Sequence, residues 1–205
     1  MISGIILAAG ASRRMGTPKQ SLELAGKPML QYSVERFLES SLDQVILVVG
    51  PDTKWMRARR RGLRVVVNPS PGRGISSSVK VALDSIDPKS EAAVIGLGDK
   101  PLLRASTIDS LIEAHRRSDA EIIVPVCGGR RGNPILFRKR LFPELRSLKG
   151  DVGAKVLVES KSYSVEEVPV DDVGVLLDVD VPADVLKVER LLSARPALDK
   201  GKAGK

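Results

Sequence analysis

Runs of Val and Ile alternate with helix-period stripes along most of this chain, and that alternation constrains the fold more than any other feature. Strands are predicted at Gly4–Ala8, Gln44–Val49, Arg64–Val67, Ala92–Leu97 and Glu121–Val126, each bounded by Gly, Pro or Asn. Helices are predicted between them. Pro28–Glu39 carries the stripe Leu30, Val34, Phe37 and Leu38; Ile75–Ile86, Arg104–Arg117 and Val181–Leu192 carry similar stripes. Strand–helix alternation at this pitch builds βαβ units, hence an α/β protein of three layers with a doubly wound, mostly parallel, Rossmann-like sheet. The pattern loosens after Pro125: a Gly-rich turn over 128–134, a short strand Ile135–Arg138, helical segments Leu141–Leu148 and Val152–Glu159, then strands Ser162–Val168 and Val175–Val179. No internal repeat or interdomain linker is visible. Residues 1–194 read as one domain and 195–205 as a frayed basic tail.

The first strand is the most informative. It is apolar enough to need cover on both faces, and it opens into Ala8-Ala9-Gly10-Ala11-Ser12-Arg13-Arg14-Met15-Gly16-Thr17-Pro18-Lys19-Gln20. Open α/β sheets bind ligands at the carboxyl ends of their strands. Gly10 and Gly16 allow backbone N–H groups close to an anion, and Arg14 and Lys19 add positive charge, so a polyphosphate is the natural guest. The loop is not a Walker P-loop: its two glycines are six apart and Lys19 lies behind Thr17-Pro18. Nor does it have the G-x-G-x-x-G of a dinucleotide loop. The alternative is an ordinary βα connection with surface arginines.

Charge and cysteine content narrow the class. The net charge of +8 comes partly from the tail and partly from the arginines of 54–64. With three Phe, two Tyr and one Trp there is little to stack on bases, and no nucleic-acid module is recognisable, so nucleic acid is not an expected partner. No stretch approaches a membrane span. A single cysteine, Cys127, excludes an internal disulfide and fits a cytoplasmic location, and one histidine beside it makes no zinc site. His115 reads as a packing or helix-end residue rather than a catalyst.

Four further segments fall at predicted strand ends. Asn68-Pro69-Ser70-Pro71-Gly72-Arg73-Gly74-Ile75-Ser76-Ser77-Ser78 starts a helix; its hydroxyls serve either a bound nucleotide or the cap. Gly98-Asp99-Lys100-Pro101 follows a buried strand, where a carboxylate is placed to hold Mg²⁺ beside phosphates or to cap a turn. Asp151, in Gly150-Asp151-Val152-Gly153-Ala154, reads first as the cap of the helix after it. Asp178-Val179-Asp180-Val181-Pro182 puts two carboxylates before the last helix. Asp99 and Asp180 could share a hard cation if their segments were neighbours.

Together these pieces resemble the nucleotidyltransferases with a molybdenum-cofactor-guanylyltransferase-like fold. The likeness rests on Leu7-Ala8-Ala9-Gly10, Ser12, Arg14-Met15-Gly16 and Pro18-Lys19, then Asn68-Pro69, Gly74 with Ser76–Ser78, Gly98-Asp99 with Pro101, Arg131-Gly132-Asn133-Pro134, Gly150-Asp151 with Gly153-Ala154, and Asp178, Asp180 and Pro182. It spans roughly residues 2–192. Ala8-Ala9-Gly10, Arg131–Pro134 and Gly150–Ala154 look like the molybdenum cofactor cytidylyltransferase branch. The resemblance implies transfer of CMP from CTP to the phosphate of molybdopterin, with release of pyrophosphate and with Mg²⁺ as cofactor. A related reaction with GTP, or with a sugar-phosphate or other phosphorylated acceptor, is the alternative; a non-catalytic cofactor-binding maturation factor is a more distant one.

The resemblance also implies roles. Arg14 and Lys19 neutralise the triphosphate. Asp99 and Asp180 hold the metal, Asp180 being preferred to Asp178 because it directly precedes the helix start. Leu7, Ala8, Ala9, Gly10, Ser12, Asn68, Gly74, Ser76, Ser77, Ser78 and Gly98 line the nucleotide, while Lys100, Arg131, Asn133 and Asp151 face the acceptor. The expected partners are the nucleotide, the acceptor and an apo-molybdoenzyme, for a chain that is a monomer or weak oligomer.

Overall fold

The computed structural model describes residues 1–10, 22–51, 53, 61–179 and 182–194. β1 (Ile2–Ala8) is buried along its whole length: parallel strands pair with both its edges, and helices cover both its faces. On one side lie β4 (Gln44–Val49) and then β5 (Leu63–Val67); on the other lies β6 (Ala92–Leu97). Beyond β6 come β9 (Ile135–Arg138), β7 (Ile122–Cys127) and β10 (Val165–Pro169), with β8 (Arg130–Arg131) hooked onto β7. β9 runs antiparallel to both its neighbours, and β7 and β10 are parallel to each other. A two-stranded ribbon, β2 (Glu23–Leu24) with β3 (Lys27–Pro28), precedes the first helix.

Alternation along β1 sorts its side chains to two faces. Ile2, Ile6 and Ala8 pack with Leu30, Val34 and Phe37 of α1 (Met29–Glu39) and with Ile108, Leu111 and Ile112 of α3 (Ala105–Arg117). Ile5, Leu7 and Ala9 pack with Val79, Ala82 and Leu83 of α2 (Ile75–Ser85), Phe142 and Leu145 of α4 (Phe142–Ser147), and Leu157 and Val158 of α5 (Lys155–Glu159). The sheet is thus covered by helices on both faces, in three layers. A smaller core holds Leu24, Met29, Tyr32, Leu102, Val179 and Val188, the last from α6 (Pro182–Ala194).

The chain leaves β1 for β4 and β5, then returns to β6 on the other side of β1. The strand order therefore reverses between β1 and β6, and in open α/β sheets the crevice outside that reversal is where ligands bind. Among the described residues, no helix is long and apolar enough to cross a membrane.

The predicted strand Val175–Val179 is not a strand. Residues Val173–Val175 form a 3₁₀ turn and 176–179 run on without regular structure. Their backbone groups are used by loops instead: the Val175 carbonyl accepts from Lys100 Nζ and from the Asn133 N–H, and the Val179 N–H donates to the Asp99 carbonyl. Two other elements are shorter than their periodicity suggests. α5 starts at Lys155, and β10 starts at Val165, after the Ser164 N–H has donated to Glu121 Oε2 ahead of the ladder.

Candidate active site at the end of the first strand

The floor of the crevice is the end of β1. Leu7, Ala8 and Ala9 are buried there and Gly10 is exposed. The Gly98 N–H donates to the Leu7 carbonyl at 3.0 Å, so the turn after β6 starts level with the end of β1. Asp99 follows, half-buried, with its Oδ1 buried. Its carbonyl accepts from the Val179 N–H at 3.2 Å. The segment running up to Asp180 thus lies directly against Asp99, an adjacency no reading of the sequence supplies. Ser12, Arg14, Lys19 and Asp180 lie outside the described residues.

The second wall is the loop between β5 and α2. Asn68 is 1% exposed and organises it. Its Nδ2 donates to Ser77 Oγ at 2.8 Å and Ser78 Oγ at 3.0 Å, and its Oδ1 accepts from the Ser70 N–H at 2.9 Å. Ser77 Oγ in turn donates to the Gly74 carbonyl, and Ser76 Oγ to the Gly150 carbonyl at 2.8 Å. Asp151 does not cap the helix after it. Its Oδ1 accepts from the Ile75 N–H at 3.3 Å, so the 150–151 turn caps α2 from across the fold while α5 has no side-chain cap. Gly74 makes this possible: φ is +92°, and a Cβ there would stand 2.2 Å from the Gly150 carbonyl carbon. Asn68, Ser76, Ser77 and Asp151 therefore all have structural duties in the loop.

The third wall comes from the β7–β9 connection. Because β9 is antiparallel to β6, its start falls at the same end of the sheet as Asp99. Asn133 donates its N–H to the Val175 carbonyl at 2.9 Å, and its Oδ1 is buried without a hydrogen bond among the described residues. The Asn133–Pro134 bond is cis. Arg131 is exposed and pairs with Glu167 at 2.7 Å. Lys100 is 3% exposed; its Nζ sits 2.6 Å from Asp178 Oδ1 and 3.1 Å from the Val175 carbonyl. Its ammonium thus faces the 175–178 segment.

Sequence reasoning passed over Asp172. It is 1% exposed, and its Oδ2 accepts from the Arg104 N–H and Thr107 Oγ1 while its Oδ1 accepts from the Gly174 N–H. It caps α3, which lacks a side-chain cap of its own, and ties the 172–179 segment to the loop after β6. The only sequence signal is Asp-x-Gly, an Asx-turn pattern that is easily discounted. His115 lies buried in the last turn of α3; burial, with help from the Arg138 cation, pushes its pKa below the usual 6.5. Cys127 packs against the core.

Among the described residues, no three His, Cys, Asp or Glu side chains gather as a metal cage. A hard cation of the Mg²⁺ type is commonly held by one or two carboxylates and completed by substrate phosphates and water. Asp99, with the chain leading to Asp180 bonded to its carbonyl, provides carboxylate oxygen of the right chemistry at the strand reversal.

Comparison with known proteins agrees with this architecture. The chain is 33% identical over 204 residues to the purine catabolism protein PucB of Bacillus subtilis, covering 93% of this chain and 97% of that one. It is 28% identical over 193 residues to the nicotine blue oxidoreductase of Paenarthrobacter nicotinovorans, covering 87% and 92%. A crystal structure of Rv0371c from Mycobacterium tuberculosis in complex with manganese matches with a TM-score of 0.74 at 31% identity, covering 95% of this chain and 99% of that one. Residues 4–168 match the model of the MobA-like NTP transferase domain. With that match over most of its length, the chain belongs to the MobA-like NTP transferase family and is a nucleotidyltransferase.

Proposed function

We propose that the protein transfers CMP from CTP to the terminal phosphate of molybdopterin. A phosphate oxygen of the acceptor attacks the α-phosphorus of CTP, a new P–O bond forms, the bond to the bridging α–β oxygen breaks, and pyrophosphate leaves. The reaction needs positioning and charge neutralisation rather than a side-chain nucleophile, and no Ser-His-Asp or Cys-His pair is required of the chain. The backbone of Leu7 to Gly10 and the Gly98 turn receive the nucleotide, with Ser12, Asn68, Gly74 and Ser76–Ser78 shaping its other side. Arg14 and Lys19 neutralise the triphosphate and the departing pyrophosphate. Asp99 and Asp180 hold Mg²⁺, which supplies charge neutralisation at the phosphates when bound. Arg131 and Asn133 face the acceptor, and the Asn133 Oδ1 offers a buried acceptor atom for a pterin N–H.

The observation that carries this reading is the Val179–Asp99 hydrogen bond at the β1/β6 reversal, which brings the approach to the second aspartate alongside the first. The test incubates the protein with Mg²⁺, either molybdopterin or a sugar phosphate, and CTP, GTP, ATP or UTP in turn, and measures pyrophosphate and the nucleotidylated product. CTP-dependent, acceptor-dependent turnover is expected. Preference for GTP would move the chain to guanylyl transfer. Turnover only with a sugar phosphate would replace the acceptor, and no turnover with any nucleotide would leave a cofactor-binding maturation role. Asp99→Ala is expected to lower kcat by about a hundredfold or more while the melting temperature stays close to that of the unaltered chain. Near-normal kcat would show that the metal is held elsewhere.

A further inference from the structure

Lys100 is an unusual residue to bury. An ammonium at 3% exposure needs full compensation, and here it has two partners: Asp178 Oδ1 at 2.6 Å and the Val175 carbonyl at 3.1 Å. Both partners lie on one irregular segment, and that segment makes no strand pairing to hold it in register. Each end of the arrangement touches the proposed metal site through the covalent chain. Lys100 directly follows Asp99, and Asp178 stands two residues before Asp180. Between them the Val179 N–H donates to the Asp99 carbonyl. Two cross-links thus join two adjacent residue pairs, 99 with 179 and 100 with 178. The Val175 carbonyl also accepts from the Asn133 N–H, so both of its lone pairs are used and the segment is tied to the third wall as well. Gly174 reinforces the fit, since a Cβ there would stand 2.3 Å from the Leu102 carbonyl carbon.

We propose that Lys100 and Asp178 are a positioning pair: the ion pair between the buried ammonium and this carboxylate sets the 175–179 segment against Asp99 and thereby sets the spacing of the metal-holding aspartates. On this assignment Asp178 is not a metal ligand, because its carboxylate is committed to Lys100. The inference rests on the metal role proposed for Asp99 and Asp180, but not on the identity of nucleotide or acceptor. Contacts that act as one unit give non-additive losses when removed singly and together.

The test is Mn²⁺ binding to the full chain with the metal alone, followed by electron paramagnetic resonance, with thermal melting in parallel. Lys100→Met and Asp178→Asn are each expected to weaken Mn²⁺ binding about tenfold, and the double variant no more than either single one. Lys100→Arg is expected to recover part of the loss. In NTP turnover, the Lys100→Met rate should return to within about threefold of normal at high metal concentration, a recovery that a merely structural role does not give. Unchanged Mn²⁺ affinity in both single variants, whatever their melting temperatures, would overturn the proposal, as would losses that add. If Lys100→Met does not fold, Asp178→Asn decides, because that side chain is 40% exposed and an amide oxygen in its place can still accept from Lys100 Nζ, as the Val175 carbonyl does. If the unaltered chain binds Mn²⁺ but shows no cytidylyl transfer, the reaction proposed above fails while the pair's role stands. If the unaltered chain binds no Mn²⁺, both fail.

Discussion

Gly74 shows how one residue governs a wall of the site. Its φ of +92° and ψ of 172° lie in a region open essentially to glycine, and its α-carbon faces the Gly150 backbone with no room for a methyl group. Gly74→Ala is expected to destabilise the protein by about 2–4 kcal/mol, because neither backbone can yield without breaking the Ser76 bonds to the Gly150 carbonyl. Equilibrium urea unfolding measures this; a change within 0.5 kcal/mol would show that the two loops are not packed as described. His115 gives a second prediction at this scale. Burial lowers its folded pKa below the usual 6.5, so the unfolded chain binds the proton first as pH falls. Its contribution is therefore fully present above about pH 6.5 and is lost as pH falls through that value toward the lowered folded pKa. His115 Nδ1 is buried without a hydrogen bond among the described residues, so His115→Leu removes the titration without orphaning a partner there. Melting temperatures of this variant should fall less between pH 7 and pH 5 than those of the unaltered chain. Parallel curves would show that other groups carry the acid sensitivity.

At the scale of elements, helix starts depend on side chains far away in sequence. α2 is capped by Asp151 and Gly150, and α3 by Asp172, rather than by their own N-terminal residues. Asp172→Ala removes acceptors for the half-buried Arg104 N–H and for the buried Gly174 N–H and Thr107 hydroxyl, and is expected to cost about 2–4 kcal/mol. In a chain of this size that corresponds to a melting-temperature drop of roughly 4–16 °C. Hydrogen exchange should speed most in the first turn of α3 and in 172–179; uniform acceleration across the protein would contradict a local cap. The same locality explains what was readable beforehand. β4, β6 and β9 fall where Val and Ile periodicity puts them, since their core faces are encoded within each run. The 175–179 run has the same composition, yet tertiary hydrogen bonds to Asp99, Lys100 and Asn133 take the groups a ladder would use.

For the whole molecule, the strand order decides where chemistry is possible. Leaving β1 in one direction and returning to β6 in the other opens the crevice, and the small core of Leu24, Met29, Tyr32, Leu102, Val179 and Val188 draws its borders together. That core takes residues from just after the glycine-arginine-lysine loop, from just after Asp99 and from either side of Asp180. The loss of turnover expected for Asp99→Ala without loss of fold belongs to this scale: the carboxylate stands outside the sheet core, which β1, β4 and β6 complete without it. The alternating elements, the two-sided burial of the first strand and an anion-seeking loop with acidic residues at later segment ends were all legible from the residues in order. Those properties follow from side-chain periodicity and from residue chemistry acting over a few neighbours. It took the folded chain to show that the segment before Asp180 lies against Asp99, that Asp151 caps α2, and that Lys100 turns inward to Asp178. Each of these joins residues 75 or more positions apart, and it is the packing of strands and loops between them, rather than any local pattern, that brings their hydrogen-bonding groups within reach.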